Sequence, residues 1–236
     1  MNRELLVQSF FDFTGNEIFY PLLNKAKYVW ELIPQIPHFI ENKLEPQILG
    51  QVEEGAWLEP GGVYLAPGAL VERGAVVRGP TIIGEGTIVR TGAYIRGHFM
   101  TGKNCRIGSG VETRHAILLN NSNLAHQNLV FCSILGNDVN LAGGSYCANV
   151  RLDEKEIFIS VIEEGTLVRY STGQTRFGVV IGDHCRTGAM TVLQPGTLVG
   201  KHCVTYPLIT VHGYIKPGSL LKASTHGAKA DTVSIQ

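Results

Sequence analysis

The 236-residue sequence carries little charge and no excess of either sign. Only 17% of its residues are Asp, Glu, Lys or Arg, and 20 basic residues balance 20 acidic ones. Nucleic-acid-binding and membrane-surface proteins usually show a basic patch or a basic excess, so neither kind of partner is expected. No apolar run approaches the roughly 20 residues that a membrane-spanning helix needs.

The sequence also lacks the cysteine patterns of disulfide frameworks and zinc sites. Its five cysteines are odd in number and include no Cys-x-x-Cys pair. Free thiols are therefore expected, and a metal site is not. Glu4 and Asp12 interrupt the apolar N-terminal residues, and no small-residue cleavage site follows them. We therefore expect no secretory signal peptide and predict a cytoplasmic protein.

Glycine, by contrast, is abundant, with 28 residues, and it accompanies a six-residue repeat. The repeated positions are aliphatic except for one threonine: Leu65, Val71, Val77, Ile83, Val89, Ile95, Thr101 and Ile107. An amphipathic helix repeats every 3.6 residues and a half-buried strand every two, so a period of six fits neither. It indicates short strands joined by glycine-rich turns, with the aliphatic residue pointing inward.

Three such strands close one coil of eighteen residues, and parallel pairing stacks the coils into a β-helix of hexapeptide repeats. Residues eighteen positions apart should then lie one above the other. We expect Cys185 and Cys203 to form an inward ladder, and His184 and His202 to stack along an outer edge.

Three segments depart from the repeat. Residues 1–50 carry bulky apolar groups and predict an N-terminal helical cap or arm, with helices over Asn24–Ile33, ending before Pro34, and near Phe39–Lys43. The β-helix is predicted over residues 51–222, with a C-terminal tail at 223–236. The repeat slips between residues 113 and 134 and disappears in an insertion at 151–176, where a hairpin is expected.

The run from His126 to Asn149, HQNLVFCSILGNDVNLAGGSYCAN, resembles the acetyltransferase half of bifunctional sugar-phosphate nucleotidyltransferase/N-acetyltransferases. Residues 151–156 (RLDEKE), 171–178 (STGQTRFG) and 181–183 (IGD) are similar to the archaeal-type branch, which has a long insertion between these motifs. The resemblance covers about residues 60–220. It implies a left-handed β-helix, although parallel crossovers are normally right-handed. It also implies a homotrimer with sites between neighbouring helices.

The same resemblance implies roles for individual residues. His126 matches the catalytic base, which must take a proton from the attacking amine. Arg96 and Arg114 match the positions that hold the sugar phosphate, for which guanidinium groups are well suited. Each of the three also has a plain structural interpretation, as a surface or packing side chain.

Further positions match the sugar and coenzyme sites of the family. Asn140 and Asn149 match amides of the sugar and acetyl pocket, although both are also compatible with a buried asparagine ladder. Ala189 is assigned to the acetyl-coenzyme A path along the coils. Backbone N–H groups of the turn Ala142–Ser145 are candidates to stabilise the tetrahedral intermediate.

The sequence departs from the family pattern at four positions near the predicted site. Leu129 stands where the family has tyrosine, Phe131 and Cys132 replace a Gly-Asp pair, and Val150 replaces a common aromatic or leucine. These residues predict a more apolar pocket. The sequence also contains no counterpart of the nucleotidyltransferase half.

These observations predict an acetyl-coenzyme A-dependent N-acetyltransferase acting on an amino sugar phosphate, with acetyl-coenzyme A as co-substrate. One alternative is a non-catalytic sugar-nucleotide-binding or assembly partner of a separate nucleotidyltransferase. A remote alternative is a carbonic-anhydrase-like metal hydratase, which would need three zinc-binding histidines such as His98, His115 and His126.

Overall fold

Short strands joined by tight turns make up most of the structure, a computed structural model that describes residues 2–223 and 230–234. The α-helices are α1 (Val7–Phe10), α2 (Tyr20–Leu23) and α3 (Ile36–Lys43), and the 3₁₀ segments are Arg3–Leu5, Glu17–Phe19 and Val29–Gln35. The strands are β1 (Gln47–Ile48), β2 (Gln51–Val52), β3 (Trp57–Leu58), β4 (Val63–Leu65), β5 (Leu70–Val71), β6 (Val76–Arg78), β7 (Thr81–Ile83), β8 (Ile88–Val89), β9 (Tyr94–Arg96), β10 (Phe99–Thr101), β11 (Arg106–Ile107), β12 (Glu112–Leu118), β13 (Asn123–Leu124), β14 (Leu129–Leu135), β15 (Asn140–Leu141), β16 (Tyr146–Cys147), β17 (Phe158–Glu163), β18 (Thr166–Ser171), β19 (Val179–Ile181), β20 (Val192–Leu193), β21 (Thr197–Val199), β22 (Val204–Thr205), β23 (Thr210–Val211), β24 (Tyr214–Ile215), β25 (Ser219–Ala223) and β26 (Ala230–Ser234).

Each coil crosses three flat faces in turn, and each face is a stack of parallel strands. The open face consists of β3, β6, β9, the first half of β12, the first half of β14, β16, β20 and β23. The covered face consists of β1, β4, β7, β10, the second halves of β12 and β14, β19, β21 and β24. The third face consists of β2, β5, β8, β11, β13, β15, β22 and β25. The predicted parallel β-helix is therefore confirmed.

The inward column that the six-residue period predicted forms the core. Leu65, Val71, Val77, Ile83 and Val89 are all completely buried and belong to one hydrophobic cluster inside the coils. Thr101 is also buried, and its hydroxyl accepts a hydrogen bond from the backbone N–H of Gly84. Thr101, the one polar residue among the repeated positions, thus has a hydrogen-bond partner inside the protein.

Coil length explains the slip that the sequence shows after residue 113. Tyr94 pairs with Glu112, eighteen residues later, but Glu112 pairs with Leu129 and Leu129 with Tyr146, which are steps of seventeen. The strands stay in parallel register across the change. The missing residue therefore shortens a corner and leaves the faces intact.

The two eighteen-residue pairs stack as expected. The imidazole rings of His184 and His202 lie parallel with centroids 4.9 Å apart. Cys185 and Cys203 are buried in the inner core, and the Cys203 backbone N–H donates to the Cys185 Sγ atom at 3.4 Å. All five cysteines are free and buried.

The N-terminal segment lies along the covered face. Its buried apolar side chains form a second cluster with outward residues of that face, among them Ile82, Met100, Ile117 and Ile134. Polar contacts add to this packing, because the Asp12 backbone N–H donates to the buried Asp183 carboxylate at 2.6 Å. The segment thus sheathes one side of the prism, and we call residues 2–44 the arm.

The helices of the arm differ from the prediction. The segment predicted as Asn24–Ile33 begins only at Val29, and it continues through Pro34 to Gln35 as a 3₁₀ helix. Glu31 fixes its start by accepting hydrogen bonds from the backbone N–H groups of Lys27 and Tyr28. Pro34 is tolerated because its φ of about −65° suits a short helical turn. The second predicted helix is present as α3, which covers Phe39–Lys43.

The insertion forms the antiparallel hairpin that its β-rich run indicated, with β17 paired to β18. One side of this hairpin packs against the arm. Ile157, Ile159 and Val161 are buried in the cluster that the arm forms, and the Tyr170 ring lies 5.6 Å from that of Trp30. The arm and the insertion therefore support each other.

Because the core is a column of fully buried aliphatic side chains, shortening one of them should destabilise the fold. Leu118→Ala removes a side chain with no exposed surface, and we expect a loss of about 2–5 kcal/mol of unfolding free energy. Leu152→Ala is the control, because Leu152 is fully exposed and should change stability by less than about 0.5 kcal/mol. Urea denaturation of both variants measures the difference, and equal effects would contradict the assigned core.

Candidate active site

The corner between the open and covered faces narrows along the chain. Gly97 and His98 link β9 to β10, whereas His115 alone links the two halves of β12 and Cys132 alone links those of β14. His98, His115 and Cys132 all have left-handed backbone conformations, with φ of 46°, 49° and 47°. Histidine adopts this region more often than most residues. We call this column of three residues the pocket corner.

A cavity of about 460 Å³ lies beside the pocket corner. Its lining residues are Arg96, Arg114, His115, Phe131, Cys132, Asn149 and Arg176. Arg96 and Arg114 stand at the pocket-corner end of the open-face strands β9 and β12, and Asn149 follows β16 where the insertion begins. The cavity therefore brings together three of the predicted substrate residues, and we call it the arginine pocket.

Arg176 was not selected from the sequence, because it lies in the insertion, where the repeat gives no position. Its backbone forms an antiparallel bridge with Val150, which holds the two ends of the insertion together. The bridge to Val150 thus holds Arg176, the third arginine of the pocket, in place. The only signal in the sequence was the family-like motif of residues 171–178, which contains this arginine.

The arginine pocket is rich in positive charge and N–H donors. Arg96 forms an ion pair with Glu112 at 2.6 Å, whereas Arg114 and Arg176 have no acidic partner among the described residues. The Asn149 side-chain Nδ2 donates to the Cys132 Sγ atom at 3.3 Å, and burial raises the pKa of that thiol, so it stays neutral. Guanidinium groups that lack a carboxylate partner suit an anion such as phosphate.

A chain of hydrogen bonds runs from the arm into this pocket. The Glu41 Oε1 atom on α3 lies 2.8 Å from His98 Nε2, and His98 Nδ1 lies 3.1 Å from His115 Nε2. Burial, with smaller effects of the charges of Arg114 and His98, lowers the pKa of His115 to about 4. His115 is therefore uncharged at neutral pH. His115 follows His98 by seventeen residues, which is the length of one short coil. This spacing is the sequence signal that could have predicted the contact between the two rings.

His126 lies on the opposite edge of the open face. It is exposed on the turn 125–128, which enters β14, and it borders a shallow depression lined also by Arg90, Arg106 and Asn123. Five residues separate it from Phe131 at the arginine pocket, at most about 17 Å of extended chain. The resemblance assigns His126, Arg96 and Arg114 to one substrate site, but His126 borders a different cavity from the two arginines. They bound the same face from its two edges.

The turn that carries His126 stacks on turns of small residues. The Gly144 backbone N–H donates to the His126 carbonyl at 2.9 Å, and the Met190 N–H donates to the Gly143 carbonyl at 2.9 Å. Ala189, next to Met190, is exposed. The Gly143 N–H has no acceptor within the part of the chain that the structure describes, and a Cβ built on Gly143 would lie 3.7 Å from the His126 carbonyl oxygen. His126 and Ala189 thus share one column with a free N–H donor between them.

Asn140 lies outside the arginine pocket, on the third face. Its Oδ1 atom accepts a hydrogen bond from the Asn123 Nδ2 atom at 2.5 Å, across adjacent coils. A ladder therefore forms between Asn140 and Asn123, and not between Asn140 and Asn149. Asn140 stands two residues before the turn Ala142–Ser145.

The three histidines considered for a zinc site do not converge. His98 and His115 are hydrogen-bonded to each other, whereas His126 lies on the other edge of the open face. No group of three or more His, Cys, Asp or Glu side chains suited to a metal occurs within residues 2–223 and 230–234. The geometry of these donors gives no ligand set for a zinc hydratase.

The depressed pKa of His115 predicts a specific acid sensitivity. Between about pH 6.5 and 4 the unfolded chain binds a proton at this residue and the folded chain does not. The contribution to stability is therefore complete above pH 6.5 and is lost as the pH falls toward 4. His115→Asn, which tolerates the left-handed backbone, should lose less unfolding free energy between pH 7.5 and 5 than the wild type. Parallel pH profiles of urea denaturation would contradict this assignment.

Comparisons with known proteins identify relatives that are considerably longer than this chain. No family model matches the chain. A bifunctional sugar-1-phosphate nucleotidylyltransferase/acetyltransferase of Sulfurisphaera tokodaii is 30% identical over 193 residues, which are 82% of this chain and 47% of the relative. The bifunctional protein GlmU of Methanococcus vannielii is 30% identical over 175 residues, 74% of this chain and 41% of the relative. The chain thus spans less than half the length of these curated relatives.

A solved structure shows the same architecture. The UDP-N-acetylglucosamine acyltransferase of Francisella novicida aligns over 78% of this chain and 69% of its own, with a TM-score of 0.51 and 13% identity. This likeness supports the fold, and the predicted class, a left-handed parallel β-helix with a short N-terminal helical segment, is confirmed. No helix among the described residues is long and apolar enough to cross a membrane. The resemblance to bifunctional sugar-phosphate nucleotidyltransferase/acetyltransferases, predicted from the run His126–Asn149 and its flanking motifs, is likewise confirmed.

Proposed function

We propose that this protein is an acetyl-coenzyme A-dependent N-acetyltransferase that acts on an amino sugar phosphate of the glucosamine-1-phosphate type. One observation carries the proposal: the arginine pocket and His126 bound the two edges of a single open face. A phosphate held at one edge directs the rest of a sugar across this face, toward a base at the other. The Sulfurisphaera tokodaii relative, named as a sugar-1-phosphate nucleotidylyltransferase/acetyltransferase, supports the same substrate class.

In this proposal the arginine pocket holds the phosphate group. Arg114 and Arg176 supply guanidinium groups without acidic partners among the described residues, and Arg96 can exchange its Glu112 partner for a phosphate oxygen. Charge-assisted, bidentate hydrogen bonds of this kind are among the strongest that proteins make. Asn149 offers an amide on the same wall. Phe131 adds an apolar surface for the sugar ring.

His126 is the proposed general base. The amine nitrogen attacks the thioester carbonyl carbon, and the carbon–sulfur bond breaks to release the coenzyme A thiolate. The proton that the amine loses passes to the imidazole, which can return it to the thiolate. Histidine is the side chain used most often for this task. Its exposed position leaves it accessible to both substrates.

The turn column next to His126 is the proposed coenzyme path. The Gly143 N–H points to no protein acceptor within the described chain, so it is available to the oxyanion of the tetrahedral intermediate. The exposed Ala189 continues the same column without a bulky side chain. Asn140 keeps its Nδ2 atom available beside this turn, because only its Oδ1 atom is engaged by Asn123.

We also propose a homotrimer, in which a neighbouring subunit completes the site. The open face and the turns next to it expose large apolar side chains, among them Tyr146, Val192, Met190 and Leu208. The arm occupies the covered face, so association must use the other two. A flat-sided prism closes naturally around a three-fold axis.

Replacing the proposed base tests the activity directly. His126→Ala should reduce the rate of acetyl transfer to glucosamine 1-phosphate by about 10²–10⁴-fold, the usual effect of losing a general base. Thiol release from acetyl-coenzyme A, followed with a thiol reagent, measures the rate. His38→Asn is the control, because His38 is exposed on the arm, where its Nε2 atom lies 2.8 Å from the Asn42 Nδ2 atom. Binding of the sugar phosphate without any transfer in the wild type would favour the non-catalytic partner of a separate nucleotidyltransferase.

The assembly has its own test. Light scattering at micromolar concentration should give a mass of about three chains of 25.7 kDa. Tyr146→Glu places a charge on the exposed apolar part of the open face and should weaken the trimer. A monomeric wild type would rule out a site completed by a neighbouring subunit.

A further inference from the structure

The arm reaches the arginine pocket through a continuous hydrogen-bonded chain. Glu41 contacts His98 at 2.8 Å, His98 contacts His115 at 3.1 Å, and His115 lines the pocket. The His115 Nε2 atom is engaged by His98. Nδ1 is therefore the nitrogen of His115 that remains for a group in the pocket.

With both imidazoles uncharged, the chain has only one consistent arrangement of hydrogens. The Glu41 carboxylate can only accept, so His98 must carry its hydrogen on Nε2. The unprotonated His98 Nδ1 then accepts from His115 Nε2–H, which leaves the His115 Nδ1 atom as a bare acceptor. In this state the His115 nitrogen that remains for the pocket is a hydrogen-bond acceptor, whereas the guanidinium groups that line the pocket are donors.

One additional proton reverses the direction of the chain. A doubly protonated His98 donates from Nε2 to Glu41 and from Nδ1 to His115 Nε2. His115 then carries its own hydrogen on Nδ1, which becomes a donor toward the pocket. The added charge resides on His98 next to the Glu41 carboxylate, while the pocket gains only a neutral N–H group.

We propose that the Glu41–His98–His115 chain takes up one proton when a phosphate monoester dianion binds in the arginine pocket, and thereby converts His115 from an acceptor into a phosphate donor. The inference rests on the proposed phosphate site. It assigns to the arm a part in substrate binding. It also makes the affinity for a phosphorylated sugar depend on pH.

The surroundings of His115 explain why the added charge does not reside on His115 itself and why a bound dianion favours the protonated chain. The charged or titratable groups that face the chain are Arg114 on the same strand, Arg96 on the preceding coil, Cys132 on the next coil, Arg176 from the insertion and Glu41 from α3. In the free protein, burial and the charge of Arg114 hold the pKa of His115 well below its ordinary value. A bound dianion offsets the arginine charges and adds an acceptor, so both effects favour the protonated chain.

Titration calorimetry with glucosamine 1-phosphate tests the proposal. At pH 7.5 a phosphate monoester, with a second pKa of about 6, is already a dianion, so proton uptake reports on the protein. The binding enthalpy is measured in buffers of different ionisation enthalpy, and its slope gives the number of protons. We expect the uptake to approach about one proton, with the affinity falling up to about tenfold per pH unit as the pH rises.

Three variants locate the proton. His115→Asn should bind the ligand with an uptake near zero, because without the second imidazole a proton on His98 no longer creates a donor toward the pocket, and asparagine tolerates the left-handed backbone. Glu41→Gln, on an exposed side chain, should reduce the uptake by more than about half, because the charge on His98 loses its counter-charge. His38→Asn, on the same helix, is the matched control and should keep the wild-type value.

The outcomes separate this inference from the proposed function. Binding of glucosamine 1-phosphate without proton uptake would overturn the inference and leave the phosphate site in place. Uptake that persists unchanged in His115→Asn and Glu41→Gln would also overturn it, because the proton would then enter elsewhere. Absence of binding to the wild type at millimolar ligand would overturn both the phosphate site and the inference.

Discussion

The structure depends on one constraint: each coil must pair in register with the next while its aliphatic side chains fill a single inner column. Each fully buried aliphatic side chain contributes about 1.5–3 kcal/mol, and a one-residue shift within a strand would turn that side chain outward. Changes in length are therefore confined to the corners. The step from eighteen to seventeen residues, and the long insertion, both occur at the corner between the open and covered faces.

This confinement explains where the candidate site lies. A corner that loses a residue turns sharply, and His115 and Cys132 occupy it in left-handed conformations. A corner that gains residues releases a hairpin, which brings Arg176 back beside Arg114. The rigid faces hold Arg96 and Arg114 in place, while the irregular corner supplies the remaining walls. The candidate site therefore lies where the repeat is broken, as functional sites do on the loops of many rigid scaffolds.

The six-residue period accounts for most of the structure that the sequence could predict. The buried column and the stacked pair His184 and His202 both result from counting residues along coils, whereas the shared pocket of Arg96 and Arg114 was implied by the family resemblance. The position of Arg176 does not result from such counting, because an insertion carries no repeat. The path of the arm could not be predicted either. Its bulky apolar residues indicate that it packs on another surface, but that surface is set by outward side chains of the covered face, such as Met100 and Ile117.

The arm determines which faces of the β-helix remain exposed for binding other molecules. By burying the covered face it removes one of three sides from subunit association, and it places Glu41 within reach of His98. The open face then carries the proposed base at one edge and the arginine pocket at the other, with exposed Tyr146 and Val192 on further coils. In the proposed trimer, a subunit contact on that face also bounds the proposed substrate site. In the proposed trimer, assembly and substrate binding are therefore coupled on this surface, and the arm takes part through the pocket corner, where Glu41 contacts His98.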